Sequence, residues 1–341
     1  MKRSRDVQPP RAESMLLSQL APEQALRRLE LHIVRRLEGF LHGDHVSLLP
    51  GSGTELAEAR VYVPGSDDVR RIDWALSART TIPHVRDVIA DRELETWALV
   101  DLSPSMHFGT AAMEKRDLAI AAVATMGLLT FRVGDRFGAF VLSQGQLRRL
   151  PARVGRPALY GLLRSLMHES ASPSPSSSPL EGSHSQTLAE AMTMLSRSQR
   201  KRGLRVVVSD FIDAPHGSDD LAAAPSWERA IRELAQRHQV LVIEIIDPRE
   251  LDIPNVGHVL LQDPETGVVR ELNTSDRKVR RRYAAAARLQ RDRTARALRR
   301  AGVAHLVLRT DRDWITDTAR FVLQHRRVAR RRQYRGAQGT L

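Results

Sequence analysis

Trp97-Ala98-Leu99-Val100-Asp101-Leu102-Ser103-Pro104-Ser105 decides how the chain is read. Its first four residues form an apolar run with the length of a strand buried on both faces of a parallel sheet. An acid closes the run, and two hydroxyls follow, two residues apart. Asp101, Ser103 and Ser105 thus put three hard oxygen donors on one loop, a set suited to Mg2+ or Mn2+ rather than zinc. Val206-Val207-Val208-Ser209-Asp210 is a second buried strand ending in a carboxylate. Thr187 lies between the two, opening a helical stretch after a Ser-rich segment. The same residues have a structural account: Ser103 and Ser105 would cap the helix after the loop, and Thr187 the next one. That account gives the two strand-end carboxylates no purpose.

Outward from this stretch, strands are expected at 97–101, 136–142, 204–210, 240–246 and 303–309. Helices are expected at 113–132, 156–167, 187–199, 226–238, 276–301 and 313–327. Such alternation predicts an α/β fold: a doubly wound, mainly parallel sheet with helices on both faces. Sheets of this kind bind ligands outside the carboxyl ends of their strands, where Asp101 and Asp210 would stand. Upstream, Leu26, Leu29, Ile33, Val34 and Leu37 recur at helical spacing within residues 22–41. Residues 44–90 are charged and irregular, with short strand candidates at 59–63 and 84–86, and predict a small N-terminal irregular/β subdomain. Residues 260–272 read as a hairpin turning at Glu265-Thr266-Gly267. Ser170 to Ser185 is rich in Ser and Pro, flexible by composition. The chain therefore divides into a disordered N-terminus (1–20), a helix and motif segment (21–95), the α/β domain (96–325) and a basic tail (326–341).

The 53 Lys and Arg outnumber the 40 Asp and Glu, for a net charge of +13, and nearly all the bases are Arg. They concentrate in Arg277 to Arg300 and Arg326 to Arg335. Such blocks attract nucleic acid, anionic lipid or an acidic protein partner. Without interleaved aromatics for base stacking they read as a solvated helix face and a basic tail, and nucleic acid is the less favoured partner. No cysteine is present, which excludes disulfides, thiolate zinc sites and thiol catalysis. No window has the roughly 18 consecutive apolar residues of a membrane helix, and the polar first residues lack a signal core. A cytoplasmic protein with no transmembrane segment is expected. Walker, nucleophile-elbow and zincin motifs are absent, and His42-Gly43-Asp44-His45 lacks a third ligand at zinc spacing. The expectation is a non-enzymatic protein. The enzymatic rival is Mg2+-dependent phosphoryl transfer with Asp101 as nucleophile. Ser103 stands where haloacid-dehalogenase-type phosphatases need a second Asp.

The order Asp101-x-Ser103-x-Ser105, then Thr187, then Asp210 resembles the metal-ion-dependent adhesion site of von Willebrand factor A domains. The resemblance implies that Ser103, Ser105 and Thr187 bind Mg2+ or Mn2+ directly or through water. Asp101 and Asp210 would act mostly through waters and hold the hydroxyls in place. A second set of motifs reads Glu58-x-Arg60-x-Tyr62-x-Pro64-Gly65, then Arg70-Arg71-Ile72-Asp73-Trp74, then Ala78-Arg79. Asp247-Pro248-Arg249-Glu250-Leu251 follows later, with Pro254, Gly257 and Asp263-Pro264-Glu265-Thr266-Gly267. Together with the Asp101 loop these are similar to the domain-of-unknown-function 58 family, over roughly residues 40–325. The resemblance implies a von Willebrand A-like domain joined to an N-terminal motif region. It also implies an adaptor or co-chaperone role beside a MoxR-type AAA+ ATPase. The membrane helices of many members are not carried over. From the residues themselves, the charged run around Trp74 reads as ions paired over an aromatic face, with Arg70, Arg71 and Arg79 meeting Asp68, Asp73 or Glu58. The expected function is a metal-dependent protein-binding adaptor. Mg2+ held mainly by neutral hydroxyls would keep much of its charge for an acidic partner side chain.

Overall fold

A computed structural model describes residues 22–40, 59–62, 72–86, 95–111, 113–130, 135–171, 185–198, 202–212, 224–264 and 267–325. In chain order the elements begin with α1 (Pro22–Phe40), β1 (Ala59–Val61), α2 (Trp74–Thr80), β2 (His84–Arg86) and β3 (Glu95–Asp101). A short 3-10 turn, Pro104–His107, leads to α3 (Lys115–Thr130), β4 (Arg136–Ser143), β5 (Gln146–Val154) and α4 (Arg156–Ala171). Then come α5 (Leu188–Ser198), β6 (Leu204–Ser209), α6 (Glu228–Arg237), β7 (Gln239–Ile246) and α7 (Pro248–Leu251). The chain continues through β8 (His258–Gln262), β9 (Val269–Asn273), α8 (Arg277–Ala301) and β10 (Ala304–Arg309) to a last helix, α9, over 314–325.

Six strands form the main sheet in the order β10-β7-β6-β3-β4-β5. The first five run parallel, and β5 runs antiparallel to β4 at the edge. The central strands β3, β6 and β7 are buried along almost their whole length, because helices cover both faces and leave no solvent side for alternation. From β3 the chain moves outward through β4 and β5, then returns to the other side of β3 for β6, β7 and β10. The strand order thus reverses between β3 and β6.

One core lies between the sheet and α1, α3, α4 and α9, holding Ile33, Leu118, Leu166 and Ile315. The other lies under α5, α6 and α8, around Trp97, Met192, Trp227 and Leu298. This is the doubly wound, mainly parallel sheet with helices on both faces that was expected. α3 is buried nearly all round, and α4 packs closely on it: a Cβ on Gly127 would come within 2.6 Å of Leu159 Cδ1.

β5 was not expected. Its Gln144-Gly145 turn has positive φ at both residues, the geometry that matches hairpin twist. Its solvent-facing edge position tolerates Arg148, Arg149, Pro151 and Arg153. The hairpin expected over 260–272 forms as β8 and β9. In the N-terminal motif region β1 and β2 pair antiparallel, and Asp73 caps α2 by accepting the Leu76 N–H at 3.1 Å. Trp74 is 70% exposed, and most of the ions expected to pack over it lie outside the described residues. Glu58, Asp68, Arg70 and Arg71, residues 1–20, most of 170–185, the tail from 326 and the His42–His45 cluster lie outside the described residues.

Candidate functional site

The switch point of a doubly wound sheet is a crevice, because the connections leave the two strands in opposite directions. Here the two strands are β3 and β6, and their carboxyl ends carry Asp101 and Ser209-Asp210. Asp101 is 4% exposed. Its Oδ1 accepts the Ser103 N–H at 3.0 Å, and its Oδ2 accepts the Ser209 hydroxyl at 2.6 Å. The carboxylate therefore stitches the two strand ends together and folds the loop back over itself. The Ser103 and Ser105 hydroxyl oxygens end up 3.2 Å apart. Ser103 sits at the N-cap position of the 3-10 turn, yet its side chain makes no capping bond. Ser105 lies inside that turn. The capping account therefore fails for both serines.

It holds for Thr187. The Glu190 N–H donates to Thr187 Oγ1 at 3.3 Å, and the Thr187 N–H donates to Glu190 Oε2 at 2.8 Å, a capping box on α5. The segment is fixed at the same end of the sheet: the Gln186 N–H donates to the Gly145 carbonyl at 2.8 Å, beside the end of β4. A Cβ on Gly145 would meet Ser185 Oγ at 2.1 Å. Among the described residues, Thr187's side-chain hydrogen bonding goes to Glu190 rather than to the Asp101 loop.

Asp210 faces a partner that sequence reasoning missed. Its Oδ1 accepts the Ile212 N–H at 3.1 Å, and its Oδ2 accepts Lys115 Nζ at 2.8 Å. Lys115, the first residue of α3, is 0% exposed and donates as well to the Glu250 carboxylate. Burial alone would pull its pKa down, but the charges of Asp210 and Glu250 outweigh it and hold the ammonium above its ordinary range. Glu250 is pushed up by burial, with Lys115 opposing. Burial and the neighbouring Asp210 charge push Asp101 up to about 6, against the bonds from Ser209 and Ser103. Asp210 and Glu250 share the ammonium of Lys115, and Asp101 adds a third carboxylate beside Asp210. Ionised together, they leave the cluster with excess negative charge.

The cluster continues along the sheet edge. Glu250 closes a capping box on α7 with Asp247, the acid after β7. Asp247 accepts four hydrogen bonds: the Thr110 N–H and hydroxyl, the Arg249 N–H and the Thr310 hydroxyl. These bonds, led by those from Thr110, outweigh its burial and hold its pKa below the usual carboxylate value. The motif Asp247-Pro248-Arg249-Glu250 carried a readable signal: an N-cap acid, Pro at the first helical position and Glu at the third. Lys115 gave none, because Glu114-Lys115-Arg116-Asp117 reads as a solvated first turn.

Among the described residues, no three His, Cys, Asp or Glu side chains gather as a metal cage. A cation here would rest on hydroxyls, and the serine pair fits one: adjacent ligands of octahedral Mg2+, each about 2.1 Å from the ion, lie about 3 Å apart. The excess negative charge around Asp101 and Asp210 suits it too. As a phosphoryl acceptor, Asp101 is poorly placed, because it is buried and both its oxygens already accept hydrogen bonds. Among the described residues no helix is long and apolar enough to cross a membrane.

A model of the DUF58 family, described as proteins of unknown function, matches residues 58–293. An uncharacterized protein of Mycobacterium tuberculosis, Rv1480, is 47% identical over 305 residues, covering 89% of this chain and 90% of its own. Among solved structures the chain is similar to BatB from Bacteroides thetaiotaomicron, at 17% identity and a TM-score of 0.38, over 69% of this chain and 99% of that one. It is also similar to a von Willebrand factor type A protein from Catenulispora acidiphila, at 13% identity and a TM-score of 0.31, over 72% of this chain and 43% of that one. The family match spans well over half the sequence, and the mycobacterial relative aligns along most of it: this chain belongs to the DUF58 family.

Proposed function

We propose that this chain is a metal-dependent protein-binding module, acting as an adaptor or co-chaperone for a MoxR-type AAA+ ATPase, without turnover of its own. The observation that carries it is the Ser103–Ser105 hydroxyl pair, 3.2 Å apart, set over the buried Asp101 at the switch point of the sheet. In this reading Ser103 and Ser105 hold Mg2+ or Mn2+, and Asp101 and Asp210 act behind them by fixing the loop and supplying charge. Thr187 can join, because a hydroxyl that accepts one N–H keeps its own proton and a second lone pair. The bound cation would offer an open position to an acidic side chain of the partner. The ATPase and a cytoplasmic location are what the family resemblance and the sequence imply.

Calorimetric titration with MgCl2 tests the site without the partner. Ser103→Ala removes a hydroxyl that caps nothing but bonds to Ser105, so it should cost about 0.5–1.5 kcal/mol in stability. It should still weaken Mg2+ binding by about tenfold or more, since a direct ligand is lost. A parent protein that binds no Mg2+, or a Ser103→Ala protein that binds it equally well, would remove the metal from the reading.

A further inference from the structure

α8 carries a feature that the site does not use. Of its 25 residues only Thr294, Ala297 and Leu298 are buried, so its first four turns lie at the surface with no core of their own. Eleven of its residues are Lys or Arg, and one, Asp292, is acidic. Arg277, Arg281 and Arg288 are exposed and fall four and seven residues apart, on one stripe of the helix. That stripe and the end of α7 enclose a groove of about 790 Å3. Leu251, Ala284 and Ala295 give it apolar ground between the charges. At its far end Arg291 also borders a second groove of about 390 Å3, lined in part by Arg312 and Arg320. The two make one basic track.

The track selects its occupant. From Arg277 to Arg291 is about 21 Å at 1.5 Å per residue, the length of six or seven extended residues at about 3.3 Å each. Guanidinium groups take carboxylates in paired hydrogen bonds, and the apolar ground takes small side chains. A nucleic-acid strand would find no aromatic face in the larger groove on which to stack its bases. We propose that this groove binds an extended acidic segment of a protein partner. Its carboxylates lie on Arg277, Arg281 and Arg288, and its small apolar residues lie on Leu251, Ala284 and Ala295. None of the candidate metal residues lines the groove, so this binding does not depend on Mg2+. Glu250 faces Lys115 while Leu251, the next residue, lines the groove; α7 thus stands between the two sites, and one partner can engage both.

The test uses the full chain and a short fluorescein-labelled peptide alternating Glu with Ala and Leu, read by anisotropy at low salt in Mg2+ and again with chelator. The parent protein should bind, and rising salt should weaken binding. Arg281→Glu with Arg288→Glu should weaken it by about tenfold or more, as attraction turns to repulsion at two positions. Arg282→Glu, on the same helix outside the groove, should leave it unchanged. All three positions are exposed, and melting curves verify the fold. Four results would overturn the proposal: no binding by the parent, equal loss with Arg282→Glu, binding that disappears on chelation, or an oligo-dT strand that binds more tightly and is lost in the same double variant. The last result would make the groove a nucleic-acid site.

Discussion

Replacing Lys115 by Met tests whether the buried ion cluster holds the site together. Met fills nearly the same volume, so little of the effect is a cavity. What changes is charge. Lys115 has a fully buried side chain, Asp210's is 2% exposed and Glu250's is 21% exposed. Removing the ammonium strands two carboxylates, and Asp210 is left with the Ile212 N–H alone among its described bonds. Breaking a buried pair this way costs about 3–5 kcal/mol, a fifth or more of the stability of an ordinary domain. The deficit depends on pH. In the parent, Lys115's pKa lies above its ordinary 10.5, so its contribution is complete below that pH and is lost as pH rises through the folded value. In the variant the stranded carboxylates can be protonated, so the deficit shrinks on acidification. Adding Asp210→Asn removes one stranded charge and should recover part of the loss, a coupling that a double-mutant cycle measures. Urea unfolding by circular dichroism, at pH 7 and near pH 4.5, gives all of these numbers. A Lys115→Met protein within about 0.5 kcal/mol of the parent at pH 7 would refute the reasoning, because no buried pair of this kind is lost so cheaply.

Two further outcomes follow from neighbouring groups. Asp101's pKa is raised from 3.8 to about 6, so its contribution is complete below pH 3.8 and is lost as pH rises through 6. Relative to Asp101→Asn, the metal-free parent should therefore lose about 2 kcal/mol between pH 4 and pH 7, at about 1.4 kcal/mol per pKa unit; Mg2+ should flatten that difference, and a slope of the opposite sign would contradict the assignment. Asp247→Ala removes an acceptor of four hydrogen bonds that tie the loop after β3 to the ends of β7 and β10; a loss of about 3–5 kcal/mol in urea unfolding is expected, with Asp247→Asn milder because an amide keeps one acceptor oxygen.

The parts of this molecule that were legible in its sequence are those whose signal is local. β3 and β6 announce themselves because a strand covered on both faces reads as a near-continuous apolar run, Trp97 to Val100 and Val206 to Val208. The serine pair was readable because Asp101, Ser103 and Ser105 lie on one short loop. β5 was not, since an exposed edge strand with Arg148, Arg149 and Pro151 has the composition of a loop. Thr187 was readable in two ways, and the backbone bonds to Glu190 establish the capping role. Lys115 was invisible for a different reason. Its partners lie 95 and 135 residues along the chain, and only the return of β6 and α7 to the same sheet end turns a surface-like lysine into a buried one. Asp247 and Thr110, 137 residues apart, meet the same way.

Binding between this chain and a MoxR-type ATPase, followed by interferometry in Mg2+, bears most directly on the proposed function. The informative comparison is the parent against the Ser103→Ala, Ser105→Ala double variant, which disables the hydroxyl pair without touching the nucleotide chemistry of the ATPase. The account predicts a complex with the parent that weakens by about tenfold or more in the double variant, a difference that disappears when chelator removes the metal from both. Equal binding by parent and double variant in Mg2+, with both proteins folded, would contradict it.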